Sequence, residues 1–225
     1  MALTIGSGIT FGSGISLNPP GGPTTIGQSY GGGYYAGKIS VTGNGVATHY
    51  LIVAPKASGQ TITGYALGDF IGSPVSFIDG PANSTYMNNS NYQAAPFCKS
   101  LSIGGYTDWY LPANYELEIC YYNLKPTTAP NIIGGSLSGN PYAVPTQSGQ
   151  EYTSGTPART TATDFISGGS EAFDTGSGVY YWTSTDARSR TSFRDAYMLY
   201  FVDGSAYSGA KANSNRVRAV RRIPI

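Results

Sequence analysis

Residues 3–17 alternate between apolar and bare positions. Leu3, Ile5, Ile9, Phe11, Ile15 and Leu17 fall on odd positions, with Ser7 and Ser13 between them, while every even position is Thr, Gly or Ser. A period of two is the signature of a strand, and a flexible spacer has no reason to keep it. The pattern predicts an extended segment with an apolar edge and a glycine-bare back. Glycine weakens an isolated strand and marks close approach of another backbone. Stability is therefore expected from a partner surface, contacted through Ile5, Ile9, Phe11, Ile15 and Leu17.

Residues 18–33 are rich in Pro and Gly and aperiodic, which reads as a linker. A domain is expected over 34–225. The stretches YYAGKISV and ATHYLIVAP flank TGNG, a turn signal, and predict a hairpin. Residues 64–80 read as mixed loop and short strand. Residues 88–101 read as partly helical, with Pro96 in a first turn or at a kink. ANYELEICYYNLK gives the clearest helix. Its entry is set by Pro112 and its exit by Pro126, and Leu111, Tyr115, Ile119 and Tyr122 form one face. Residues 132–178 are Ser-, Thr-, Gly- and Pro-rich with little periodicity, a length that points to functional surface or insertion. VYYWTST, AYMLYFV and RVRAVRRI follow as strands, with Asp203-Gly204 as a turn.

Composition narrows the class. Of 225 residues only 11% are charged, yet 13% are aromatic. Low charge with many aromatics argues against disorder and for a β-rich chain with long ordered loops. Cys98 and Cys120 are too few for a disulfide scaffold; two buried thiols are the preferred reading and one disulfide the alternative. One histidine, His49, and no paired-cysteine spacing leave no metal cluster to expect. No apolar run is long enough to span a membrane. No basic-then-apolar leader is legible, so export by assembly and lysis is expected of a protein that ends outside the cell. From Arg188 onward eight basic residues face two acids, against five basic and ten acidic residues before it. The end of the chain is thus a basic segment on a mildly acidic body.

Two blocks carry a resemblance. AAPFCKSLSIGGYTDWYLPANYELEICYYNL contains Cys98, Gly105, Tyr106, Asp108, Trp109, Leu111, Pro112, Glu116 and Leu117. The second block supplies Tyr181, Trp182, Ser184, Thr185, Phe201, Gly204, Val217, Arg218, Val220 and Arg221, with Thr183 in place of the usual serine. In this order they resemble the C-terminal domain family of the Legionella collagen-like adhesin, over roughly residues 34–223. The resemblance implies an α+β, C-type-lectin-like domain: two helices, short twisted antiparallel sheets and long loops. It also implies a setting among bacterial surface proteins and tailed-phage virion proteins. It supplies no catalytic mechanism.

Residue by residue, the motif reads as structure. Trp109 and Trp182 are expected core anchors, and Asp108 a loop hydrogen-bonding group in preference to a base. Arg218 and Arg221, three apart in a strand, should face opposite sides. At least one should be partly buried against an acid, with Glu116 the candidate. Glu116 and Glu118 point apart on a helix and cannot flank one glycosidic bond. No nucleophile elbow or phosphate loop occurs. The expectation is a non-enzyme without cofactor or metal. It is a virion structural protein, exposed on the particle, that contacts a host-surface glycan or protein. Tyr142, Tyr152, Arg159, Arg188, Arg190 and Arg194 are the candidate binding residues. Residues 1–17 should attach it to other virion proteins, as a homotrimer, without nucleic-acid binding or membrane insertion. A purely structural capsid or fibre decoration protein is the alternative.

Overall fold

The computed structural model describes residues 21–67, 74–134, 139–148, 152–187 and 194–225. They form a mixed α+β domain of few helices and curled antiparallel sheets. In the first sheet β1 (Ser29–Tyr30), β2 (Gly33–Ile39), β3 (His49–Val53) and β12 (Val220–Pro224) lie side by side, and β6 (Ala143–Val144) adds to the free edge of β2. The second sheet runs β10 (Ala206–Ala210), β9 (Asp195–Tyr200), β8 (Tyr180–Asp186), β11 (Ser214–Arg218), β4 (Gln60–Gly64); only β11 and β8 are parallel. A two-stranded piece pairs β5 (Gly139–Asn140) with β7 (Gln147–Ser148). The helices are α1 (Lys56–Gly59), α2 (Gly80–Tyr86), α3 (Ala94–Lys99) and α4 (Asn114–Leu124).

The hairpin expected from the alternating stretches is β2–β3, antiparallel with a bulge between Tyr35 and Gly37. Gly37 takes a φ of 137° there, and a Cβ would meet Ile119 and Asn123 of α4. The bulge thus lets helix and sheet touch. The segment read as a linker over 18–33 joins the sheet before Tyr34. The Gly27 N–H donates to the Tyr35 carbonyl, and Ser29 and Tyr30 pair with Tyr34 and Gly33. Helix α2 was not legible because its Asn, Ser and Thr are weak helix formers; Asp79 caps it by accepting the Ala82 N–H, with Pro81 in its first turn.

Helix α4 lies between the sheets, touching β2 on one side and β8 and β9 on the other. It is therefore buried on nearly every side. Leu117, Cys120, Tyr121 and Leu124 are buried alongside Ile119, whereas Tyr115 and Tyr122, expected on the inner face, are only half-buried. A single-face reading fails for a helix with cover on both sides. Its N-terminus is closed by Glu116, whose carboxylate accepts the Ala113 N–H at 2.8 Å and the Gly80 N–H at 3.2 Å.

The strand read from RVRAVRRI is two strands in different sheets. At Ala219 the chain crosses over: its carbonyl accepts the Ala54 N–H and its N–H donates to Gly59. This overturns the expected partner of Glu116. Arg218, at the end of β11, pairs with Glu171 at 2.7 Å and donates to the Ala54 carbonyl at 2.6 Å. Arg221, in β12, grips Asp108 through Nε at 2.7 Å and Nη2 at 2.9 Å, with its guanidinium 3.8 Å from the Tyr106 ring centre. Glu116 takes Arg222, at 2.7 Å. Both arginines of the motif are thus buried and paired, and Asp108 is a structural anchor.

Trp109 and Trp182 are fully buried, their indole N–H groups donating to Tyr106 and Thr63 carbonyls. Cys98 and Cys120 are separate buried thiols, and burial pushes both well above the ordinary thiol range. Residues 1–17, with Ile5, Ile9, Phe11, Ile15 and Leu17, lie outside the described residues.

Candidate functional site

The long 132–178 stretch is held down from the end of α4. The Lys125 ammonium, buried at the helix C-terminus, donates to Asn131 Oδ1 at 2.6 Å and to the Ala129 carbonyl. The Asn131 amide donates in turn to the carbonyls of Thr153, Ser154 and Pro157. Tyr152, Phe165 and Phe173 enter the core from this stretch. Within the same stretch a turn over 140–147 leans on α4. Asn140 pins it: its amide donates to the Tyr115 carbonyl at 2.8 Å, and its Oδ1 accepts the N–H groups of Tyr142 and Ala143.

Between this turn, β2 and the second half of α4 opens a cleft of about 260 Å³. That lies just under the roughly 300–1,000 Å³ of drug-sized sites, room for one small polar unit. Ile119 and Tyr122 supply an apolar floor and an aromatic wall; Ala143, Val144 and Pro145 form the opposite wall. Lys38, Asn123, Thr146 and Gln147 bring polar groups. Lys38 is the one charged side chain among the lining residues, fixed in register by pairing with Val144. Asn123 is oriented by donating to the Ala36 carbonyl at 2.8 Å. Gln147 is buried, and its Oε1 has no hydrogen-bond partner. A buried acceptor without a partner costs about 1–3 kcal/mol, so a donor arriving in the cleft has a reason to stay.

A larger depression of about 500 Å³ lies around His49, Asp79 and Arg222. Its polar groups are already engaged: His49 with Thr48, Asp79 with the Ala82 N–H, and Arg222 with Glu116 and the Ile78 carbonyl. The smaller cleft is the better built for a ligand.

The candidate binding residues from the sequence scatter. Tyr142 sits on the pinned turn, its ring 5.4 Å from that of Tyr115, beside the cleft but not lining it. Tyr152 is buried, edge-on to Tyr122 at 5.6 Å, so it supports the cleft wall from behind and cannot contact a ligand directly. Arg159 and Arg194 are exposed and do not line the cleft. Arg188 and Arg190 lie outside the described residues. Lys38, Tyr122, Asn123 and Gln147 escaped sequence reasoning because they come from three separate elements and form no local pattern. Among the described residues no group of three or more His, Cys, Asp or Glu could hold a metal ion, and no helix is long and apolar enough to cross a membrane.

No curated protein matches the chain at a significant level. Residues 79–221, however, match the family model of the Lcl C-terminal domain. That span takes in α2 to α4, the pinned turn, and the paired residues Asp108, Glu171, Arg218 and Arg221. The match covers more than half of the sequence, and the chain belongs to the Lcl C-terminal domain family, which supports an adhesin-like function.

Proposed function

We propose that this is a phage virion structural protein that displays its Lcl-type domain to bind a host-surface glycan or protein, in the manner of a tail fibre or adhesin. The observation that carries the binding role is the cleft beneath the 140–147 turn, with its aromatic wall at Tyr122, the Lys38 ammonium and the unpartnered Gln147 oxygen. An aromatic face with a few fixed amide groups suits a hydroxyl-rich sugar unit, and Tyr, Ser, Asn and Gly serve adaptable recognition well. We read the curled sheets and helices as a C-type-lectin-like arrangement, and the protein as a binder without a catalytic step or cofactor. Screening the full chain on glycan arrays and host cells tests the role; replacement of residues 140–147 by a short glycine-serine turn should abolish what binds. Full binding after that replacement would overturn the reading.

The alternation of residues 3–17 favours a second, compatible role as an anchor. Fifteen extended residues reach roughly 50 Å, enough to add a strand to the sheet of a neighbouring virion protein or to intertwine in a homotrimer. Deletion of 1–17 should leave a folded domain that no longer enters particles. Normal incorporation would remove the anchor and the decoration alternative together.

A further inference from the structure

Glu118 lies one helical turn before Tyr122 on α4 and is buried beneath the pinned turn. The Tyr152 hydroxyl and the Asn140 amide face its carboxyl. Buried atoms without a partner lie along the same helix and turn: Glu118 Oε2, Gln147 Oε1, and both side-chain atoms of Asn114, one turn earlier on the helix. Gln147 stands directly opposite Asn140 in the β5–β7 pair. The contact of α4 with residues 139–148 and Tyr152 is thus a polar seam left partly unsatisfied, beside a cleft.

The charges facing this seam are few. From α4 itself comes the Tyr115 hydroxyl, held above its ordinary range by burial and then by Glu118. From the segment after β7 comes Tyr152. Residues 139–148 carry no charged side chain. Among the described residues no cation contributes to the environment of the carboxyl. An ionised carboxylate there is buried without a counter-charge and is met only by the Tyr152 hydroxyl and the Asn140 amide. The neutral acid brings an O–H donor to a seam that holds unpaired oxygen acceptors.

We propose that the Glu118 carboxyl is a proton-operated latch on the cleft: neutral, it keeps the 139–148 segment seated on α4, and ionised, it loosens that segment. This rests on the reading of the cleft as the binding site. Burial pushes the carboxyl up to about 7 from an ordinary 4.5, offset in part by the hydrogen-bonding groups of Tyr152 and Asn140. A folded value above the unfolded one means stability that is complete at low pH and lost as pH rises through about 7. The latch therefore opens on the alkaline side of neutrality, and ligand capture weakens there.

The test is hydrogen exchange of the ligand-free full chain at pH 6 and pH 8, corrected for the intrinsic pH dependence of exchange, read at amides 139–148. Wild type should lose about tenfold in protection relative to the rest of the domain, the factor for one acid titrating midway. Glu118→Gln, neutral and of the same shape, should show no such step. His49, lowered by burial and by Arg222, and Glu116, raised by burial, are unchanged in the variant. A flat wild-type profile, or an equal step in Glu118→Gln, overturns the latch. Should the variant not fold, carboxyl NMR of the wild type decides. A Glu118 midpoint near 7 that coincides with the loss of protection supports it, and a midpoint below 5 refutes it. No ligand is present, so failure of the glycan reading leaves this result standing.

Discussion

At the scale of single residues, the two family blocks are internal scaffolding. Trp109 and Trp182 were legible as anchors because an indole has few stable places outside a core. The burial of an arginine was legible too, but not which acid it meets. Arg218 and Arg221 lie in different sheets, and their acids come from loops 47 and 113 residues away in sequence. Arg218 is almost wholly buried, stacks 5.4 Å from the Phe173 ring centre, and its charge is opposed by burial and sustained by Glu171. Removal of one partner of such a pair strands the other. Arg218→Leu should therefore destabilise the domain by about 3–5 kcal/mol, read from urea denaturation. A loss below about 1 kcal/mol would mean that Glu171 finds water in the native state.

At the scale of elements, the regular parts were readable and the irregular ones were not. The β2–β3 hairpin, α4, β8 and β9 announce themselves by alternation, caps and prolines. Strand β10 has the small residues AYSGA and was missed, and α2 depends on its Asp79 cap more than on propensity. The 132–178 stretch shows no period because side-chain hydrogen bonds to carbonyls hold it, through Lys125, Asn131 and Asn140, in place of a strand ladder. Sequence patterns report periodic backbones; they do not report an asparagine that satisfies three backbone groups, as Asn131 and Asn140 each do. Asn140→Ala should leave the Tyr142 and Ala143 N–H groups without their acceptor. Proteolytic cleavage within 139–148 should then quicken by roughly tenfold or more, as the loss of about 1–3 kcal/mol of local stability requires. Unchanged cleavage would show that the turn does not depend on this residue.

At the scale of the whole molecule, two sheets packed about α4 place the 140–147 turn beside a small cleft. Nothing in the linear sequence brings Lys38 of β2 to Tyr122 and Asn123 of α4 and to Gln147 of β7; only the crossing of sheet and helix does. In the basic segment after Arg188, Arg216, Arg218, Arg221 and Arg222, none of them a candidate binding residue, spend their charge on internal acids. We propose that the adhesin-like role falls to the cleft. The most direct measurement is equilibrium binding of the strongest glycan-array ligand to the full chain and to Gln147→Ala and Tyr122→Ala, with Arg159→Ala as a control. Loss of tenfold or more in affinity in both cleft variants, on the order of 1.4 kcal/mol or above, with the control unchanged and all proteins folded, is the predicted result. Wild-type affinity in both cleft variants would contradict it.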